Sequence, residues 1–197
     1  MATQPQLKLP FSVKLRKKLE FVLPIYSRAD ISFETRPNFP DRFIEFLIVL
    51  QSIMCASVPL MEFAESECHQ RIKENEKDRD LCLILSKYYH EHSIEEKGHD
   101  AWLLDDLHSL GISPEKVLSH KPPATVAELV GSQYYWIHHL HPVTLLGYIL
   151  VLEGYPLTQE DLDRIMKKTG FAASAFRTLS EHSSLDVHHL EELFSRA

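Results

Sequence analysis

Glycine is scarce in this chain of 197 residues, with six in all. No strand–turn–strand pattern repeats along it, so a β-rich architecture is not expected. Cysteine is scarcer still: Cys55, Cys68 and Cys82, odd in number and in no CxxC arrangement. That argues against a disulfide framework and against a thiolate zinc site. It leaves the thiols as core fillers and fits a reduced, cytoplasmic setting. The opening MATQPQLKLPFSVKLRKKLEFVLP has no apolar segment ahead of a small-residue cleavage site, so no secretory signal is expected. The most apolar run, FLIVLQSIMCASVPLM (46–61), is short and interrupted. It reads as a buried core helix rather than a membrane span. Positive charge is also in deficit. The net charge of -7 argues against nucleic acid or an anionic membrane as the main partner, and the short basic stretch KLRKKLE reads as a solvated helix face.

What the chain has is helical periodicity. Apolar residues recur at helical spacing through long segments. The pattern predicts a first helix within about 11–27 and a linker with Pro37 and Pro40. A long helix over about 41–74, bent at Pro59, follows. Next come a solvated turn at KENEKDRD and a second long helix, about 79–109, stopped by Gly111 and Pro114. Shorter helices are expected at about 124–140, 143–154 and 158–170, and a last one at about 171–195. The length suits one domain with a single core, so residues 1–197 read as one all-α unit, with 1–40 as its N-terminal helix and linker.

The last predicted helix carries three histidines within HSSLDVHHL (182–190). At about 100° per residue, His182, Asp186 and His189 fall within an arc of about 60°, while His188 points elsewhere. The segment HEHSIEEKGHDAW repeats that spacing. His92, Glu96 and His99 stand 90 positions before His182, Asp186 and His189, member for member. A solvated polar face explains one such triplet; the echo argues for two equivalent helices facing each other. Each triplet also has a carboxylate upstream on an apolar helix, Glu62 before the first and Glu153 before the second. Glu153 follows TLLGYILVL, where a carboxylate is costly to bury unless something pairs with it. A metal ion would do so. Four-helix di-iron carboxylate proteins use this ligand logic, a Glu from each of two helices and Glu-x-x-His from each of the other two. Oxygen and imidazole donors together suit iron or manganese.

At these residues the chain resembles the haem-oxygenase-like di-iron oxidase and oxygenase family, also known as iron-containing redox enzymes. EEKGHDAWLLDDL resembles the family's central ligand helix, LEGY its middle carboxylate, and HSSLDVHHLEEL its final ligand helix. The resemblance implies a single-domain, seven-helix haem-oxygenase-like bundle. It also implies metal ligands Glu96, His99, Glu153, His182, Asp186 and His189, with one iron held mainly by the last helix and Glu153 available to bridge. Where some members carry a glutamate seven residues before the central histidine, this chain has His92. That side chain is open as a ligand, as a hydrogen-bonding neighbour of the ligands, or as a group facing substrate. Glu62 is a further candidate ligand. The implied cofactors are two Fe(II) ions, or a Mn/Fe pair, with O2 as co-substrate. The implied substrate is a small molecule such as a fatty acid, an amino acid or an amine-type metabolite. An external electron donor and a homodimer are compatible with this reading. Alternatives of the same fold are a haem-binding or haem-degrading protein, a metal-free relative, and a non-enzymatic iron-binding protein.

Overall fold

The computed structural model describes residues 13, 17, 33–74 and 77–185. Among them there is helix, turn and coil, and no strand. The first predicted helix falls almost wholly outside the described residues, although Val13 and Lys17 are helical.

The spine is α1, Phe39–Lys73. Asn38 precedes it in the left-handed region (φ 57), which asparagine tolerates better than most residues, and Pro40 occupies the first turn, where its missing N–H is no loss. Asp41 near the N-terminus and Arg71 and Lys73 near the C-terminus complement the helix dipole. The helix runs unbroken through Pro59. By length and composition alone α1 could cross a membrane; in this fold it is the element on which two apolar cores assemble.

The first core joins Leu60, Met61, Ala64 and Cys68 of α1 to α2, Arg79–Glu95, which contributes Cys82, Leu85, Tyr88 and Tyr89. The α2 helix runs back along α1, as the Arg79–Ile72 hydrogen bond at one end and the His90–Glu65 pair farther along require. Completing this core are Ile137 of α5, Ala124–His139, and Leu145, Tyr148, Ile149 and Leu150 of α6, Leu145–Glu153. A 3-10 turn at Pro142–Thr144 joins α5 to α6, and the buried Tyr89 hydroxyl donates to the Pro142 carbonyl at 2.8 Å. The second core uses the other half of α1: Phe39, Phe43 and Leu47 meet Leu103 and Leu107 of α3, His99–Ser109. Val117 of the short α4, Pro114–Leu118, and Ile165 of α7, Gln159–Thr169, close it together with Ala175 and Phe176. Thr158 and Asp161 form a reciprocal capping box at the start of α7, and Gly170 (φ 71) ends it. After a 3-10 turn at Ala173–Ala175 comes the last helix, α8, described over 177–185.

Two expectations need correction. The single helix over 79–109 is two helices, α2 and α3, separated at Glu96–Gly98. Gly98 adopts φ 94, a left-handed conformation that ends the α2 ladder and starts α3 on a new axis. The reason is in the packing: α2 belongs to the first core and α3 to the second, so the chain must turn between them. The last helix starts at 177 rather than 171, because Phe171–Phe176 carries the 3-10 turn and seats Ala175 and Phe176 in the second core.

Candidate metal centre

The turn between the two cores is where five of the expected residues, His92, Glu96, His99, Glu153 and His182, come together. His92 sits in the last turn of α2 and is 2% exposed. Glu96 and His99, on either side of the Gly98 turn, are 8% and 7% exposed. Two buried imidazoles and a buried carboxylate within eight residues are unusual, since ionisable side chains stay at the surface unless paired. Their partners arrive from the ends of distant helices. Glu153, the last residue of α6, brings Oε1 to 3.2 Å from His92 Nε2. On the other side, Glu96 Oε2 lies 3.3 Å from His99 Nδ1. The His99 ring stacks on Trp102 with centroids 4.0 Å apart, and meets the His182 ring of α8 edge-on at 5.0 Å.

These contacts resolve into two triads. Glu96, His99 and His182 form one; His92, Glu96 and Glu153 form the other. Within each, one ligand atom per residue lies within 4.8 Å of the others. The carboxylate common to both is Glu96; among the described residues Glu153 belongs to one triad. Of the second half of the sequence echo, His182 is described, and its ring meets that of His99. The first triplet, however, does not lie along one helix, because the Gly98 turn falls between Glu96 and His99.

The other expected ligands fall as follows. Asp186 and His189 lie outside the described residues. Glu62 is exposed on α1 and belongs to neither triad. His138 and His139 stand in the last turn of α5, and His141 Nδ1 accepts from the Val143 amide to start the following 3-10 turn. Tyr134, Tyr135 and Trp136 are all partly exposed along α5. Next to Glu153, a narrow crevice between α1 and α6 is lined by Ser57, Met61, Leu145, Tyr148, Ile149 and Leu152. Burial pushes the Tyr148 phenol up to about 12, so it stays protonated at neutral pH.

Sequence reasoning passed over Trp102. Its signal was available: three residues beyond His99 on a helix, it must share that face.

The donor set fits iron or manganese. It is oxygen and imidazole nitrogen only, buried, and arranged so that one carboxylate reaches two clusters. The thiols stand apart: Cys55 is exposed near Asp100, and Cys68 and Cys82 are buried in the first core.

Residues 68–197 match the family of iron-containing redox enzymes, and the chain belongs to that family. The matched span includes every residue of both triads. Among solved structures, the chain is similar to a domain of unknown function with a heme oxygenase-like fold from Shewanella denitrificans OS217. The TM-score is 0.60 at 20% identity, over 94% of this chain and 78% of that one. The fold is therefore all-α and haem-oxygenase-like. No curated protein matches the chain.

Proposed function

We propose that this protein is a non-haem di-iron, or Mn/Fe, oxygenase or oxidase that uses O2 to oxidise a small organic substrate of the fatty-acid, amino-acid or amine class. The observation that carries the reading is the pair of buried imidazole–carboxylate triads joined at Glu96. A haem-binding alternative needs one axial histidine and leaves Glu96 and Glu153 without a role.

In this reading Glu96, His99 and His182 hold one ion, and His92, Glu96 and Glu153 hold the other, with Asp186 and His189 as further ligands. Bound metal would supply the electrons and open coordination positions that O2 activation needs. The chain's part is to fix the donors and keep bulk water out. Burial lowers the local dielectric and strengthens the attraction of both carboxylates for a cation. Trp102, stacked on His99, restricts the imidazole to one plane. Tyr148 keeps a phenolic proton beside Glu153. The Glu153 crevice is mostly apolar and narrow, which suits a molecule the size of O2. An external electron donor and a cytoplasmic setting complete the proposal.

The test is an anaerobic titration of metal-free protein with ferrous iron, followed by mixing with O2 while visible absorbance is recorded. Wild type should bind about two irons per chain, one per triad. Glu96→Ala should weaken both sites, while His92→Ala and His182→Ala should each weaken one. If wild type binds no iron, or if all three variants bind like wild type, the metal assignment is wrong.

A further inference from the structure

The sequence LLDDL in α3 contains two adjacent aspartates with opposite environments. Asp105 is a surface residue whose carboxylate stands 4.0 Å from exposed Arg177. Asp106 is 1% exposed, and its Oδ2 accepts a 2.8 Å hydrogen bond from the backbone N–H of Thr178, itself 1% exposed. That length is typical of charge-assisted bonds.

A buried carboxylate costs several kcal/mol of desolvation unless its surroundings compensate. Here the compensation comes from the first turn of α8. The first amides of any helix have no partner within it, and they carry the positive end of the helix dipole. A residue just ahead of the helix often supplies the missing acceptor from its own side chain. In α8 that position is Phe176, whose ring is in the second core and can accept nothing. Asp106 takes over the role from a different helix.

Helical spacing then ties this bond to the metal centre. Asp106 is seven residues beyond His99, so both project from the same face of α3. Thr178 is four residues before His182, so both share a face of α8. The two helices therefore meet twice along one seam, at His99–His182 and at Asp106–Thr178. Trp102 lies between them and carries the Arg177 guanidinium at 4.9 Å from its ring centre. Of these contacts, only the Asp106 bond reaches the α8 backbone itself.

We propose that Asp106 is a positioning residue of the metal centre. Its carboxylate anchors the first turn of α8 and so sets where His182 stands relative to Glu96 and His99. This rests on the assignment of the Glu96–His99–His182 triad as a metal site. Asp106 is outside the triad, and it acts through the rigidity of one helical turn.

Asp106→Ala removes the acceptor. Asp106→Asn keeps an oxygen in the same place. Two measurements separate the anchoring from the metal chemistry. In metal-free protein, hydrogen exchange of the 177–185 amides should accelerate in D106A and stay near wild type in D106N. Ferrous iron affinity is then measured in two backgrounds. With His92→Ala, where the Glu96–His99–His182 triad is left, D106A should weaken binding about 10- to 100-fold, as loss of a group supporting a ligand does. D106N should restore most of that loss. With His182→Ala, D106A should change the affinity of the other site by no more than about twofold, because the His92–Glu96–Glu153 triad takes no residue from α8. If D106A does not fold, Asp106→Glu takes its place, since the added methylene displaces the acceptor while the carboxyl group is kept. The proposal is overturned if D106A binds iron like its parent in the His92→Ala background, or if D106N loses as much as D106A. Wild type that binds no iron overturns the metal assignment itself. Wild type that binds two, with D106A unaffected, overturns only the role of Asp106.

Discussion

Replacing Gly98 with alanine tests whether the turn between α2 and α3 is held by packing or by glycine alone. Gly98 has φ 94, and a Cβ placed there meets no atom within 4 Å. The cost is therefore conformational rather than steric, roughly 1–2 kcal/mol for an L-residue in the left-handed region. Alanine also favours a continuous helix over glycine by about 1 kcal/mol. Both effects push toward a straight helix over 79–109. Against them stands the second core. Straightening would withdraw Leu103 and Leu107, both fully buried, and each contributes roughly 1.5–3 kcal/mol. About 3–6 kcal/mol of lost burial exceeds about 2–3 kcal/mol of bias, so the turn survives under strain. The expected result is unchanged helix content by circular dichroism, with Tm lowered by about 2–8 °C for a chain of this size. Iron affinity should fall as well, since Glu96 and His99 flank the strained residue. Gly98→Asn should lose less, because asparagine tolerates this region. An unchanged or raised Tm would refute the reasoning. A lowered Tm with unchanged iron binding would show that the turn does not place the ligands.

Two further outcomes follow from packing and charge. Tyr89→Phe removes a buried hydroxyl that donates to the Pro142 carbonyl; it should lower the urea midpoint by the equivalent of about 1–2 kcal/mol without changing the m-value, and an unchanged midpoint would mean that the hydroxyl adds nothing to the Leu145 amide that the same carbonyl also accepts from. Glu34 is held below the ordinary carboxylate range, chiefly by its hydrogen bond with Arg164 and further by Lys168. A depressed folded pKa stabilises fully above the unfolded value of about 4.3 and is lost as pH falls through the folded one. The stability difference between wild type and Glu34→Gln, measured by urea melts at pH 7, 5, 4 and 3, should therefore shrink toward the acid end; a constant difference would contradict the assignment.

Part of the candidate centre was legible because residues that meet in space left a spacing in the sequence. Glu96 and His99 were identified by their interval, His182 by the echo of that interval, and Glu153 by its place at the end of an apolar run. The break at Gly98 was not legible from periodicity, since apolar residues keep helical spacing on both sides of it. What decides the break is that α2 and α3 serve different cores, a relation between residues far apart in sequence. The pairing of His92 with Glu153 and the sharing of Glu96 depend on the same turn. Asp106 was hidden for a different reason. In LLDDL, two adjacent acids look alike, and only the tertiary fold makes one a surface charge and the other a buried acceptor. Glu62 shows the converse. Its spacing before Glu96 resembles that of Glu153 before Asp186, yet the structure exposes it.

The seam between α3 and α8 also bears on the order in which the protein assembles. Asp106 and Thr178 are 72 positions apart, and His92 and Glu153 are 61 apart. Such loops are closed against chain entropy, and contacts that are distant in sequence form slowly. By contrast, α1 and α2 are sequence neighbours that pack back along each other and bury Leu60, Ala64, Leu85 and Tyr89 without waiting for the rest. Local contacts of that kind lead, and long-range ones follow. A metal ion meeting the chain early would find only His92, Glu96 and His99, with neither triad complete. Secure binding would begin only when α6 and α8 arrive, so loading with iron would report on the last stage of folding.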